Sequence, residues 1–195
     1  MASSLQEIIV SNDLVKRAYE FAKRAHQGHK SKNGEPFINH CLQTAETLSN
    51  WHLDHETIAA GFLHDIPETA KDGKKALEKI RKEFGAEIAT LVEGVRSIST
   101  IRYRGTESRV DNLRKLILFL SQDLRAMLIK FAAHSNTLQF LYAFPEATQR
   151  HIALKTMEVY APIARQLGMQ NTAGNLEDLA FPYIYPKDYQ WLINL

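Results

Sequence analysis

Apolar positions recur with helical spacing along most of the chain. Leu14, Ala18, Phe21, Ala22 and Ala25 fall at i, i+4, i+7, i+8 and i+11, one stripe of an amphipathic helix, and Asn12-Asp13 stand ahead of it as a cap. Residues 27–36 (QGHKSKNGEP) read as a loop from their Gly, Lys, Asn and Pro content. A second helix is predicted from residue 37 or 38 to 49, with Leu42, Ala45 and Leu48 inward. A third runs from residue 54 or 56 through Ile58, Ala59, Phe62 and Leu63 to His64-Asp65, where Pro67 is expected to stop or kink it. Helices are predicted over 76–84, ended by Gly85, and over 86–98, with a loop over 97–106. Longer helices follow over 110–120, 124–141 and 148–167, the last closed by Gly168. The aromatic, Pro-containing tail over 175–195 is expected to pack as short helices. No strand-like alternation of useful length appears, so the fold class is all-α, a single domain over 1–195.

Composition narrows this further. The chain has 195 residues, 45% hydrophobic and 24% charged, with 9 Gly and 6 Pro, enough apolar content for a real core and too little disorder-promoting content for a disordered chain. A net charge of +2 is no electrostatic footprint for nucleic acid. Cys41 is the single cysteine, so no internal disulfide and no CxxC pair exists. Residues 1–11 lack the charged, apolar and cleavage regions of a secretory signal, and no apolar run approaches the ~20 residues of a membrane span. The expectation is a cytoplasmic protein with no nucleic-acid or membrane partner. Eight His are the informative entry in the composition, imidazole being the commonest metal-ligating side chain.

Taken alone, His64-Asp65 in the string GFLHDIPET is weak evidence for a site and describes a core His bonded to a backbone carbonyl beside a surface Asp. Three neighbours add to it. His40 opens the preceding helix, 24 positions earlier, and antiparallel helices of that length bring it beside His64. Glu68 follows His64 by one turn, at the Pro. Two imidazoles and a carboxylate, with a second carboxylate nearby, suit a hydrolytic Mn, Fe or Zn site in which Glu68 positions or deprotonates water. The basic runs over 71–82 and 96–114 read as solvated helix faces, with Arg102 and Arg104 as the phosphate-attracting alternative, and Trp51, Trp191 and the tail tyrosines read as packing. No Gly-rich phosphate loop or nucleophile elbow is present, which excludes kinase and serine-hydrolase readings.

The strings AHQG…NGEPFINH (25–40), LDHETIAAGFLHDIPET (53–69), FGAEIATLVEGV (84–95), DLRAMLIKFA (123–132), MEVYAPIARQLGM (157–169) and NLEDLAFPYIYP (175–186) stand in an order that resembles the hydrolase domain of the RelA/SpoT family, over about residues 14–190. That family belongs to the HD superfamily of metal-dependent phosphohydrolases. The resemblance implies a helical HD fold, a bound Mn²⁺, and hydrolysis of the 3′-pyrophosphate of the guanosine polyphosphates ppGpp and pppGpp to GDP or GTP plus pyrophosphate. It implies His40, His64 and Asp65 as metal ligands, Glu68 in the water-handling role, and Lys32 as the phosphate-contacting base of the loop. It further implies Asn136, and with it Tyr160, as nucleotide contacts. Residues 170–195 resemble the segment that leads to a synthetase domain in the long members.

The chain also departs from the pattern. The family's fourth ligand, an Asp, falls on Ala133 (Ala132 in the other register), the second acid after HDxx is Thr69, and the base-holding Arg of the loop is Ser31. His134 is the substitute donor nearest the missing ligand. Three readings therefore stand side by side: a hydrolase with an impaired site, a degenerate HD domain that binds nucleotide or a partner in regulation, and an HD site for a different phosphorylated nucleotide, with Ser31 marking altered base recognition.

Overall fold

The computed structural model describes residues 4–99 and 123–195. They are helical, and among them the only β pairing is an isolated bridge between Lys30 and Pro36. The chain divides into two compact units, Met1–Ala133 and His134–Leu195. The sequence-predicted helix over 110–120 and most of the loop over 97–106 lie outside the described residues.

In the first unit, α1 (Leu5–Ser11) and α2 (Asp13–Ala25) are separated by Asn12, whose side-chain carbonyl accepts from the Val15 N–H. Val15, Ala18, Phe21 and Ala22 form the buried stripe of α2, so the inward face is the expected one set one residue off at its start, with Ala25 exposed. α3 (Ile38–Asn50), α4 (His55–Leu63), the short α5 (Ile66–Thr69), α6 (Gly73–Phe84) and α7 (Ala86–Ser99) follow. α7 ends at Ser99, one residue past the helix expected over 86–98 and inside the start of the loop expected over 97–106.

α4 is the core of this unit. Every residue from Thr57 to Leu63 is buried, and the helix packs against α2, α3 and α7. A helix apolar all round cannot face water, so the string TIAAGFL dictates a central position. Asp54 caps it, its Oδ1 accepting from the Thr57 N–H at 2.7 Å. Gly61 permits the close approach of α3, since a Cβ there would stand 2.5 Å from Leu48 Cδ1. That approach brings the first turn of α3 near the end of α4.

The break after α4 lies where the pattern ended the helix, though Pro67 is not its cause. It falls on His64-Asp65, and Pro67 sits in the first turn of α5, where its missing N–H would have had no helical partner anyway. α5 is held from behind by the start of α6. Asp72 caps α6 by accepting from the Lys74 and Lys75 N–H groups, and a Cβ on Gly73 would run into the Pro67 carbonyl oxygen. Gly73→Ala is expected to cost about 1–3 kcal/mol, because the obstructing atom is backbone. A denaturant melt checks the stability, and an unchanged midpoint would contradict the packing described.

α8 (Arg125–Gln139) carries the division between the units. In the second unit follow a 3₁₀ turn (Leu141–Ala143), α9 (Glu146–Lys155), a π turn (Thr156–Tyr160), α10 (Ala161–Gln166), α11 (Gln170–Ile184) and α12 (Pro186–Ile193). The single helix expected over 148–167 is thus three segments. The tail differs from expectation in burial as well, with Trp191 63% exposed and Leu192, Ile193 and Leu195 also open. No helix of the described residues is long and apolar enough to cross a membrane.

Candidate metal centre

His40 lies in the first turn of α3, and His64 and Asp65 lie at the α4–α5 break. Their ligand atoms all fall within 4.8 Å of one another. Both imidazole Nε2 atoms point at the same oxygen, Asp65 Oδ2, each at 3.2 Å. His64 is 2% exposed, and its Nδ1 stands 2.8 Å from the Gly61 carbonyl oxygen. A carbonyl can only accept, so Nδ1 carries the proton and the neutral ring turns the Nε2 lone pair toward the carboxylate. A lone pair facing a carboxylate oxygen at that distance is repulsive unless a cation lies between them. The cluster therefore requires either a proton or a metal ion, and its two imidazoles and one carboxylate are a donor set for a divalent transition metal.

The electrostatics agree. Burial opposes a charged His64, but the Asp65 carboxylate outweighs it by charge and hydrogen bond and holds the imidazole pKa above its usual value. Burial likewise opposes an ionised Asp65, yet His64 and His40 together hold its carboxyl well below the ordinary carboxylate range. Asp65 is thus held as an anion that a metal ion could take up.

Glu68 is exposed on α5, with its N–H bonded to the Asp65 carbonyl. Thr69 gives its hydroxyl hydrogen to the backbone oxygens of Asp65 and Ile66, which anchors the turn. Lys32 is exposed in the loop before α3, which is closed by the Ser31 N–H on Glu35 O and the Phe37 N–H on His29 O. Ala133 is buried near the end of the first unit. Asn136 and Tyr160 are buried in the second unit. There His134 Nε2 lies 2.7 Å from Thr156 Oγ1. Since that hydroxyl donates to the Ile152 carbonyl, His134 Nε2–H is the donor and that nitrogen is committed away from metal binding.

The structure adds His26, which the sequence reading left unassigned although it stands in the AHQG string. Its ring is 3% exposed, packs on Phe37 at 4.7 Å between centroids, and among the described residues has no hydrogen-bond partner for either nitrogen. Burial pushes its pKa down to about 4 against the pull of Asp65, which raises it. An unfolded imidazole titrates at 6.5, so between about 6.5 and 4 the unfolded chain binds the extra proton. Stability from this group is present above pH 6.5 and lost as the pH falls toward 4, by on the order of 2 kcal/mol after allowance for screening. His26→Phe keeps the ring on Phe37 and removes the titration. Chemical melts in EDTA between pH 7 and 4 are expected to show a shallower loss of stability in the variant, and equal slopes would contradict the assignment.

The sequence profile described as the HD domain matches residues 18–170. The chain belongs to the HD-domain family. This HD domain is 42% identical over 180 residues to a "Guanosine-3′,5′-bis(diphosphate) 3′-pyrophosphohydrolase" of Aquifex aeolicus, covering 92% of the chain and 25% of that protein. It is 35% identical over 194 residues to the "Bifunctional (p)ppGpp synthase/hydrolase SpoT" of Escherichia coli, covering 96% of the chain and 27% of that protein. A "GTP pyrophosphokinase" of Streptomyces coelicolor is 35% identical over 181 residues, covering 93% of the chain and 21% of that protein. The chain thus spans about a quarter of the length of these relatives. Among solved structures, one titled as a metazoan ortholog of SpoT that hydrolyses ppGpp aligns with a TM-score of 0.61 and 20% identity, covering 90% of this chain and 96% of that one. That likeness carries the fold, a helical HD domain.

Proposed function

We propose that this HD domain holds a divalent metal ion, Mn²⁺, on His40, His64 and Asp65 and hydrolyses the 3′-pyrophosphate of ppGpp and pppGpp to GDP or GTP plus pyrophosphate. The observation that carries the reading is the convergence of two imidazole nitrogens on one carboxylate oxygen at 3.2 Å. Its support from relatives is the name 3′-pyrophosphohydrolase on proteins similar to the chain over nine-tenths of its length. A divalent ion bound there supplies Lewis-acid polarisation of a phosphoryl oxygen and a lower pKa for water.

The chain's own groups divide the remaining work. Asp65 brings the negative charge that draws the cation in, and the Gly61 carbonyl fixes the His64 tautomer so that Nε2 keeps its lone pair for the metal. Glu68, exposed one turn beyond, takes the proton of the attacking water. Lys32 meets the polyphosphate locally, which a domain of net charge +2 requires because its global field attracts little. The nucleotide-contacting roles of Asn136 and Tyr160 rest on the family resemblance.

A second reading, a domain that binds the nucleotide without cleaving it, draws on Ala133 at the family's fourth-ligand position. Incubating the purified chain with ppGpp and Mn²⁺ and resolving the products separates the two. The hydrolase reading predicts GDP and pyrophosphate in equal amounts, suppressed by EDTA. Intact ppGpp at high protein concentration, with the nucleotide bound, would support the second reading instead.

A further inference from the structure

α8 contributes one cation to the surroundings of the cluster. Lys130 is half-buried, and its Nζ donates to Ser99 Oγ at 2.8 Å, while that hydroxyl passes its own hydrogen to the Val95 carbonyl. One of the three ammonium hydrogens is thereby used. Among the described residues no carboxylate stands within ion-pair distance of Nζ, yet its charge is felt by Asp65, Glu68 and His64. Burial makes the ammonium costly, lowering its pKa in spite of the two carboxylates. A desolvated cation tied to a neutral hydroxyl and left without a contacting anion is a poor structural ion pair. It is well suited to receive an anion from outside.

We propose that the Lys130 ammonium, held in place by Ser99, binds the phosphoryl oxygens that the His40–His64–Asp65 centre draws in, making it a phosphate-binding residue of the site. This rests on the pyrophosphohydrolase reading for the identity of the anion, pyrophosphate being the product group. The role is electrostatic and involves no bond made or broken by the lysine. It also sets a sign that a structural role does not share. A cation close to a metal site repels the metal, so losing it should strengthen metal binding while weakening anion binding.

The test uses the full chain, Mn²⁺ as the metal and inorganic pyrophosphate as the anion. Calorimetric titration of Lys130→Met is expected to show pyrophosphate binding, measured with Mn²⁺ present, at least tenfold weaker than in the parent. Mn²⁺ binding alone is expected to be equal or tighter, and Lys130→Arg should retain most of the pyrophosphate affinity. Pyrophosphate binding unchanged in Lys130→Met would overturn the proposal, and so would Mn²⁺ binding weakened in step with it, which would make Lys130 a support of the carboxylates. A readout on the parent chain covers the case in which the variants do not fold. Pyrophosphate with Mn²⁺ should protect the Lys130 amine from an acylating reagent, read by peptide mass spectrometry, and equal labelling with and without pyrophosphate would also overturn the proposal. Neither readout needs turnover. A chain that binds pyrophosphate through Lys130 but leaves ppGpp intact would sink the hydrolase reading and keep this one.

Discussion

Asp65→Asn is expected to abolish metal retention and to lower ppGpp hydrolysis by at least about 10³-fold, equivalent to roughly 4 kcal/mol of transition-state stabilisation. Asp65 Oδ2 is the point on which both Nε2 atoms converge, so the substitution removes the one negative charge among the three donors. Asn is close to isosteric, and burial then acts on His64 without the opposing carboxylate, leaving a neutral imidazole that folding tolerates. Circular dichroism should therefore report an intact helical domain while metal analysis of the purified variant reports none. A variant that still holds metal and turns over within tenfold of the parent would remove Asp65 from the ligand set.

Ala133→Asp is expected to act in the opposite direction. Ala133 lies three residues beyond Lys130 on α8, hence on the same face, and the Lys130 charge is felt at Asp65 and Glu68. The position is 3% exposed, so a carboxylate there is a buried charge with a defined cost in the metal-free protein. The expected signature has two parts. In EDTA the variant melts below the parent, and with saturating Mn²⁺ the deficit closes as the new carboxylate gains a cation. Mn²⁺ affinity should rise on the order of 10–100-fold, the range that a supporting shell commands at other metal sites, and hydrolysis should rise with it. A variant destabilised equally with and without Mn²⁺ would show that residue 133 does not face the metal.

How much of this was legible in the sequence differs from element to element. The grouping of His40, His64 and Asp65 was, because His64-Asp65 ends a helix apolar on every face and His40 opens the helix before it, so that packing of two adjacent elements suffices to join them. The helical class was legible for the same reason. The end of α4 at His64-Asp65 was legible too, although the cause read into it, Pro67, lies in the first turn of α5, which accommodates it. The interruption of the helix over 148–167 had a visible signal in Pro162, whose ring lacks a donor and crowds the carbonyl one turn back. The π turn at Thr156–Tyr160 precedes it and opens that turn. α1 was signalled too, by the Ser4–Glu7 capping box.

Burial was the least legible property. Trp191 is apolar by type and open to solvent, because residues beyond α11 have little to pack upon in the described chain. His26 and Lys130 are polar by type and enclosed, because loop closure over Phe37 and the run of α8 past Ser99 decide their surroundings. No local pattern encodes either arrangement, and the groups that bear most on how the site is tuned are among them.

The cluster at His40, His64 and Asp65 is expected to direct water onto phosphorus at the 3′-pyrophosphate. Single-turnover reaction of ppGpp with excess Mn²⁺-loaded chain in ¹⁸O-water, with mass analysis of both products, tests it most directly. One ¹⁸O is expected in the released pyrophosphate and none in GDP. Label in GDP, release of two orthophosphates, or full recovery of unreacted ppGpp from a chain shown to carry metal would contradict it.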